Sequence, residues 1–316
     1  MSFQTIHKIE KFQTYLDIAF RRAAVAKVSV TGSPLYRAKE KEKDKLSIIN
    51  ETLASKLNII LKEFPGIEKL PEFYAELLKI TLDYERLKAA LRDVNWANHQ
   101  VRELYKIHRN RMRACKDVSD IETVKKAFLG RVSSVIRQIS QSLAFLESSR
   151  RIIMDYPPIK TGLPTICIAG FPNVGKSTLL GKLTTSKPEI KNYAFTTKRL
   201  NLGYTTMEFG QVQFIDTPGT LARPEKMNDI EKQAFLALKY QADVIIFIFD
   251  PTDTYPTEQQ EQLLDIIKES KKPLIIYISK ADIADKKTVQ AFVKEYDAVA
   301  DVDSLINRIR SELKEK

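Results

Sequence analysis

The sequence predicts two folds in tandem: an N-terminal antiparallel bundle of long helices, then an α/β domain with a mostly parallel sheet. Three observations carry that reading. From residue 5 to 154 the apolar residues recur in steps of three or four, the spacing of a helix face. After residue 163 the rhythm changes to short apolar runs separated by helical stretches, the pattern of a parallel sheet. The first such run ends in Gly170-Phe-Pro-Asn-Val-Gly-Lys-Ser177, which fits G-x-x-x-x-G-K-[ST] between a strand and a helix. At 316 residues the chain is long enough for two domains.

The elements follow in order. A short helix is expected near Phe12 to Ala26 and a long one from about Arg37 to Phe64. Pro71, a good first helical residue, opens a second long helix that carries Phe73, Leu77, Ile80, Tyr84, Leu87, Leu91, Val94, Val101 and Leu104. Behind the capping box Ser119-Asp-Ile-Glu122, the positions Ile121, Val124, Phe128, Val132, Val135, Ile139, Leu143 and Leu146 read as one unbroken helix. These stripes are most simply a bundle core. The bundle is assigned to residues 1–154. Residues 155–163 contain two prolines and read as a linker. The α/β domain takes 164–316, with strands at 166–169, 200–205, 212–215, 244–249 and 274–278. Glu208–Gln211 turns its one antiparallel hairpin.

Charge is unevenly divided. Residues 1–160 hold 30 Lys and Arg against 19 Asp and Glu, whereas residues 161–316 hold 21 of each. The whole basic excess precedes the glycine loop, which points to a polyanion as partner of the first half. Arg102, Lys106, Arg109, Arg111, Arg113 and Lys116 form one cluster, and Arg21 and Arg22 a second. Two isolated cysteines, Cys115 and Cys167, argue against disulfides and for a reducing, cytoplasmic setting. His7, His99 and His108 lack metal-ligand spacing. No run approaches the ~18 apolar residues of a membrane span, so no membrane partner is expected, and the N-terminus lacks a secretory core.

The loop itself carries the chemistry. Gly170 and Gly175 let the backbone turn tightly and aim successive N–H groups at phosphate oxygens, with Phe171, Pro172, Asn173, Val174 and Thr178 as the further nucleotide-binding positions. Lys176 supplies an ammonium to the β- and γ-phosphates, and Ser177 a hydroxyl for Mg2+. Phe214-Ile-Asp-Thr-Pro-Gly219 is a strand running into D-x-x-G. There Asp216 supports magnesium through water, and the Gly219 N–H senses a γ-phosphate. In Ser279-Lys-Ala-Asp282 the Asp282 carboxylate accepts from N1–H and the 2-amino group, which selects guanine over adenine. Lys280 lies across the base. Ser279 is shorter than the usual Asn or Thr, so one brace is weaker. Within Tyr193-Ala-Phe-Thr-Thr197, Thr197 completes the magnesium shell, with Thr196 as the alternative.

These motifs resemble the Obg-like GTPases, and within them the nucleolar GTP-binding protein (Nog-type) family. The likeness rests on the phosphate loop, on Tyr193–Thr197, and on Ala222-Arg-Pro-Glu-Lys-Met-Asn-Asp-Ile-Glu-Lys-Gln-Ala-Phe-Leu-Ala-Leu238. In the first half it rests on Phe64-Pro65, Leu70-Pro71, Phe73-Tyr74-Ala75 and Gly130-Arg131. The chain is similar to a compact archaeal version without the C-terminal extension of eukaryotic members. The resemblance implies a P-loop GTPase domain in which Lys176, Thr197 and Gly219 are catalytic. It implies GTP and GDP as ligands, and the large ribosomal subunit precursor with its rRNA as partner of the helical domain. It further implies a monomer off the ribosome, and a nucleolar setting in a eukaryote. Two departures stand out. The Ser-Ala base loop is replaced by Asp297-Ala-Val-Ala-Asp301, where Ala298 or Ala300 would stand in through a backbone N–H. Thr220 follows Gly219 in place of a water-orienting glutamine, so intrinsic hydrolysis is expected to be slow. Asn173 is either a K+ ligand beside the β/γ bridge or a residue that only tightens the loop. Two other readings stay open: a placeholder on pre-ribosomal RNA that GTP merely stabilises, and a switch whose helical half binds a protein.

Overall fold

The computed structural model describes residues 6–27, 29–160, 162–184, 189–192, 199–208, 210–217, 229–252 and 255–314. The chain divides into two compact units, and the division is not the contiguous one expected at residue 154. Phe3–Gly66 with Leu82–Met154 form the helical unit, whereas Ile67–Thr81 joins Asp155–Lys316.

The helical unit contains α1 (Phe12–Val25) and α2 (Pro34–Glu63). After α3 (Glu72–Thr81), which belongs to the other unit, it resumes with α4 (Tyr84–Ala114), α5 (Val118–Gln138) and α6 (Ser140–Met154). Helix α4 packs on α2, α5 and α6. Leu53, Leu57, Val94, Ala97, Val101, Phe128, Val132, Ile136 and Leu146 are fully shielded at the centre. Burying such side chains supplies roughly 1.5–3 kcal/mol each.

Two helices expected to be continuous are broken. The apolar steps run through Ile80 and Tyr84, yet α3 ends at Thr81 and α4 starts anew. Asp83 is extended and its carboxylate accepts the Arg86 N–H at 3.0 Å, a cap that competes with helix continuation. Likewise α5 stops at Gln138, where the Ile139 N–H turns to Arg137 O. The N-cap of α5 is Asp117, not Ser119: its carboxylate accepts from Asp120 N, and the Asp120 carboxylate accepts from Lys116 N at 2.8 Å. The reciprocal pair therefore lies two residues earlier than expected. Ser33 caps α2 ahead of Pro34.

The second unit holds β1 (Thr165–Ala169), α7 (Lys176–Leu183), β2 (Glu189–Asn192), β3 (Arg199–Met207) and β4 (Gly210–Asp216). It continues with α8 (Asp229–Tyr240), β5 (Val244–Phe249), α9 (Thr257–Lys268), β6 (Leu274–Ile278), α10 (Lys286–Glu295) and α11 (Val302–Lys314). The strands form one sheet in the order β2-β3-β4-β1-β5-β6. Pairs β4-β1, β1-β5 and β5-β6 are parallel. The hairpin β3-β4 is antiparallel and turns where expected, with Met207 opposite Gly210. A second antiparallel pair, β2-β3, adds an edge strand beyond the five expected. Every residue of β1 and β5 is buried, as in strands covered on both faces.

Helix α3 packs on α8. Tyr74 anchors it: the hydroxyl donates to Pro157 O at 2.7 Å and Ile159 O at 3.2 Å, and the ring stacks on Tyr156. Tyr156 and Ile159 are buried, and the Lys160 N–H donates to Gln213 Oε1 at 3.0 Å. The proline segment read as a linker is thus packed chain. Its prolines end α6, and its apolar residues bury in the second unit.

Candidate nucleotide-binding site

Strands β1, β4, β5 and β6 deliver their carboxyl ends to one edge, where an α/β sheet leaves a crevice. Gly170 follows β1 at φ 147°, and a Cβ there would lie 2.9 Å from Ile248 O, so the position admits glycine alone. Asn173 (φ 61°) and Gly175 (φ 96°) are also left-handed. Alternating handedness curls a loop so that its N–H groups converge, a preformed anion nest at the start of α7.

Lys176 is 8% exposed and its Nζ donates to Phe171 O at 2.6 Å, across its own loop. Burial lowers its pKa to about 8, against an opposing pull from Asp216. Ser177 Oγ lies 2.5 Å from Asp216 Oδ2. A hydroxyl beside a carboxylate is a hard oxygen pair that suits Mg2+. Asn201, on β3, donates from Nδ2 to the same Asp216 oxygen at 2.9 Å. Thr217 pins the end of β4, its N–H and hydroxyl both donating to Ile168 O at 3.1 and 2.8 Å.

On the other side of the loop, Ser279 is buried and donates from N and Oγ to Phe249 O, at 2.9 and 3.1 Å. Its Cβ is 3.9 Å from where a Gly175 Cβ would sit. Lys280 (φ 52°) places Nζ 2.6 Å from Asp250 Oδ2. Asp282 is exposed in the turn that follows. In the replacement base loop, the Val299 N–H bonds Ile276 O and Val299 O accepts from Ile278, extending β6's edge by one bridge. The Ala298 N–H is committed to Val293 O at 3.0 Å, and Ala300 lies just past the bridge.

The structure therefore gathers Gly170–Ser177, Asp216 and the Ser279–Asp282 turn along one sheet edge. Thr178 is exposed on the first turn of α7. Thr196, Thr197, Gly219 and the segment Thr220–Asn228 lie outside the described residues. Asn201, Asp250 and Gln260 are additions to the sequence reading. Asn201 was within reach: reflecting the hairpin about its turn sets it opposite Asp216. Among the described residues no cluster of three or more His, Cys, Asp or Glu suits a metal.

In the helical unit, Arg21, Arg22, Arg102, Lys106, Arg111, Arg113 and Lys116 are exposed. Arg111 and Arg113 lie in the last turn of α4, where cations also meet the negative end of the helix dipole. Lys106 is paired with Glu103 at 2.6 Å. Arg109 is half-buried, over the Tyr105 ring at 5.5 Å. His108 is core: Nδ1 bonds Leu104 O at 2.8 Å. Both cysteines are free and buried. No helix among the described residues is long and apolar enough to cross a membrane.

Residues 3–159 match the family described as NOG1 N-terminal helical domain, and residues 165–280 match the 50S ribosome-binding GTPase family. An uncharacterized protein of Methanocaldococcus jannaschii, MJ1408, is 39% identical over 260 residues, 81% of this chain and 73% of that protein. The chain belongs to the nucleolar GTP-binding protein 1 family. Members of that family named nucleolar GTP-binding protein 1 are 31% identical in Drosophila melanogaster, over 89% of this chain, and 31% identical in Arabidopsis thaliana, over 91%. The match covers 44% of each of those two proteins, so the chain spans less than half their length. The GTPase match falls within the second unit, and the turn Gly170–Gly175 with Lys176 and Ser177 lies inside it.

Proposed function

We propose that the chain is a Mg2+-dependent GTP switch of large ribosomal subunit assembly whose helical unit contacts rRNA. The observation that carries the reading is the adjacency of Lys176, Ser177 and Asp216 at a glycine nest, with Ser279–Asp282 on the same edge. In this reading Lys176 leaves Phe171 O for the β/γ-phosphates, while Gly170–Thr178 hold the rest of the phosphate chain. Ser177 and Thr197 would hold Mg2+, with Asp216 supporting it through water, and the ion would supply charge neutralisation to the phosphates. Asp282 reads guanine and Lys280 covers the base. Gly219 reports the γ-phosphate, and its loss reorients Thr220–Asn228. With Thr220 in the glutamine position, intrinsic hydrolysis is slow. Asn173, left-handed in the loop, would hold K+, which would supply positive charge to the phosphates. The exposed arginines of α1 and α4, with Lys116, engage rRNA phosphates; Lys106, held by Glu103, contributes less.

Equilibrium titration with GTP and ATP, followed by single-turnover hydrolysis in KCl and in NaCl, tests the nucleotide half. GTP is expected to bind at least roughly 100-fold tighter than ATP, as a site built on base hydrogen bonds permits, and turnover to be faster in KCl. Equal affinities would overturn the guanine assignment, and equal rates in the two salts the potassium assignment. RNA binding should weaken steeply as salt rises, because neutralised phosphates release counterions. A flat salt response would favour a protein partner for the helical unit.

A further inference from the structure

The guanine-reading turn is anchored to the end of β5. Ser279, one atom too short to brace the loop as asparagine would, turns its hydroxyl onto Phe249 O. The next residue does the same: Lys280 Nζ reaches Asp250 Oδ2 at 2.6 Å. Asp250 is held on every side. Its side chain is fully shielded, while the lysine's is 28% exposed. Its Oδ1 accepts from both the N–H and the hydroxyl of Thr252, at 3.0 and 2.6 Å. Gln260 clamps its backbone, accepting from Asp250 N and donating to Asp250 O, both at 2.9 Å. Gln260 also donates to Tyr255 O, and the Tyr255 ring lies 4.6 Å from that of Phe171 in the phosphate loop. Burial opposes ionisation of Asp250, yet the bonds from Lys280 and Thr252 hold its carboxyl below the usual value.

A buried carboxylate is expensive unless it is paired. Here the pair fixes a lysine whose backbone already sits at the uncommon φ of 52°. A free lysine stem samples many rotamers; this one has its ammonium pinned and its stem left partly exposed. The geometry points to Asp250 as the positioning residue that sets the Lys280 stem as a shelf for the guanine ring, with Gln260 holding Asp250 in place. The inference rests on the guanine-nucleotide reading above. Asp250 touches no nucleotide in this account and acts through Lys280.

The test compares Asp250→Asn with the wild-type chain in binding GDP, ADP and inorganic tripolyphosphate. Losing one ordered, charge-assisted contact should weaken GDP about tenfold and narrow the preference for GDP over ADP by a similar factor. Tripolyphosphate, which has no base, should bind unchanged. Lys280→Ala should weaken GDP as well, and the double variant should be no worse than the poorer single one. Thr252→Val, which removes one donor to Asp250 and leaves the carboxylate, should shift GDP the same way by about two- to threefold, and serves if Asp250→Asn does not fold. Unchanged GDP affinity in Asp250→Asn overturns the inference, as does an equal loss for GDP and tripolyphosphate, which would mark a purely structural residue. Failure of the wild-type chain to prefer GDP would instead strike the underlying function.

Discussion

Among the described residues of the helical unit the buried polar side chains are Thr52, Asn98, His108 and Ser149, spread over α2, α4 and α6. In the GTPase unit the same class comprises Thr165, Lys176, Gln213, Asp216, Thr217, Asp250, Gln260 and Ser279. Six of these eight stand at the carboxyl edge of the sheet or brace it, and they include the molecule's shielded lysine and both shielded aspartates among the described residues. Burying a charge is costly without partners. One unit avoids that cost, and the other concentrates it where a ligand would sit. The contrast teaches that chemistry belongs to the second unit, while the first offers an apolar interior and a basic exterior.

The largest expected effect tests whether the units are independent. Phe128→Ala removes a fully shielded ring in the helical core and should cost about 3–5 kcal/mol. Calorimetry should show the helical transition falling in temperature while GDP affinity holds within about twofold. A parallel loss of GDP affinity would break the separation. Next in size, Lys176→Ala should weaken GTP roughly 100-fold, about 3 kcal/mol for one partner of a desolvated charge pair, and leave the helical transition in place.

The pH profile gives a third, smaller effect. Burial sets the empty-site pKa of Lys176 near 8, and phosphate oxygens would raise it. Below about 8 the ammonium is already present and binding takes up no proton through it. Above that, each unit of pH should weaken GTP roughly tenfold until the bound-state pKa is reached. The same shift acts on folding. The empty folded state holds this proton less tightly than the unfolded chain, so the group opposes folding most below pH 8, and that penalty fades as pH rises toward 10.5. Lys176→Ala should remove the alkaline slope in binding. The smallest effect is Tyr74→Phe, which deletes the bonds to Pro157 O and Ile159 O and should cost about 1 kcal/mol. Although Tyr74 lies in the first half of the chain, the loss should appear in the GTPase transition.

The phosphate loop was legible because each of its residues has a local task at fixed spacing, and Asp216 because strand β4 runs straight into it. The helix breaks were not, because Ile80, Tyr84 and Leu87 keep the three-four rhythm across a change of unit; Asp83 alone marks the cap. Strand β2 escaped because Glu189-Ile-Lys-Asn192 is a mostly polar edge segment without alternation. The tie from Asp250 to Lys280 spans thirty residues and depends on two strands lying side by side, which local pattern cannot supply.

The central claim is that a guanine nucleotide in the second unit governs the grip of the basic first unit on large-subunit rRNA. It is tested most directly by crosslinking the chain to RNA in cells and sequencing the RNA recovered, with wild type beside Lys176→Ala. The account predicts large-subunit rRNA at defined sites for wild type and an altered yield at those sites for the variant. Recovery of unrelated RNA, of no RNA, or of the same yield from both chains would contradict it.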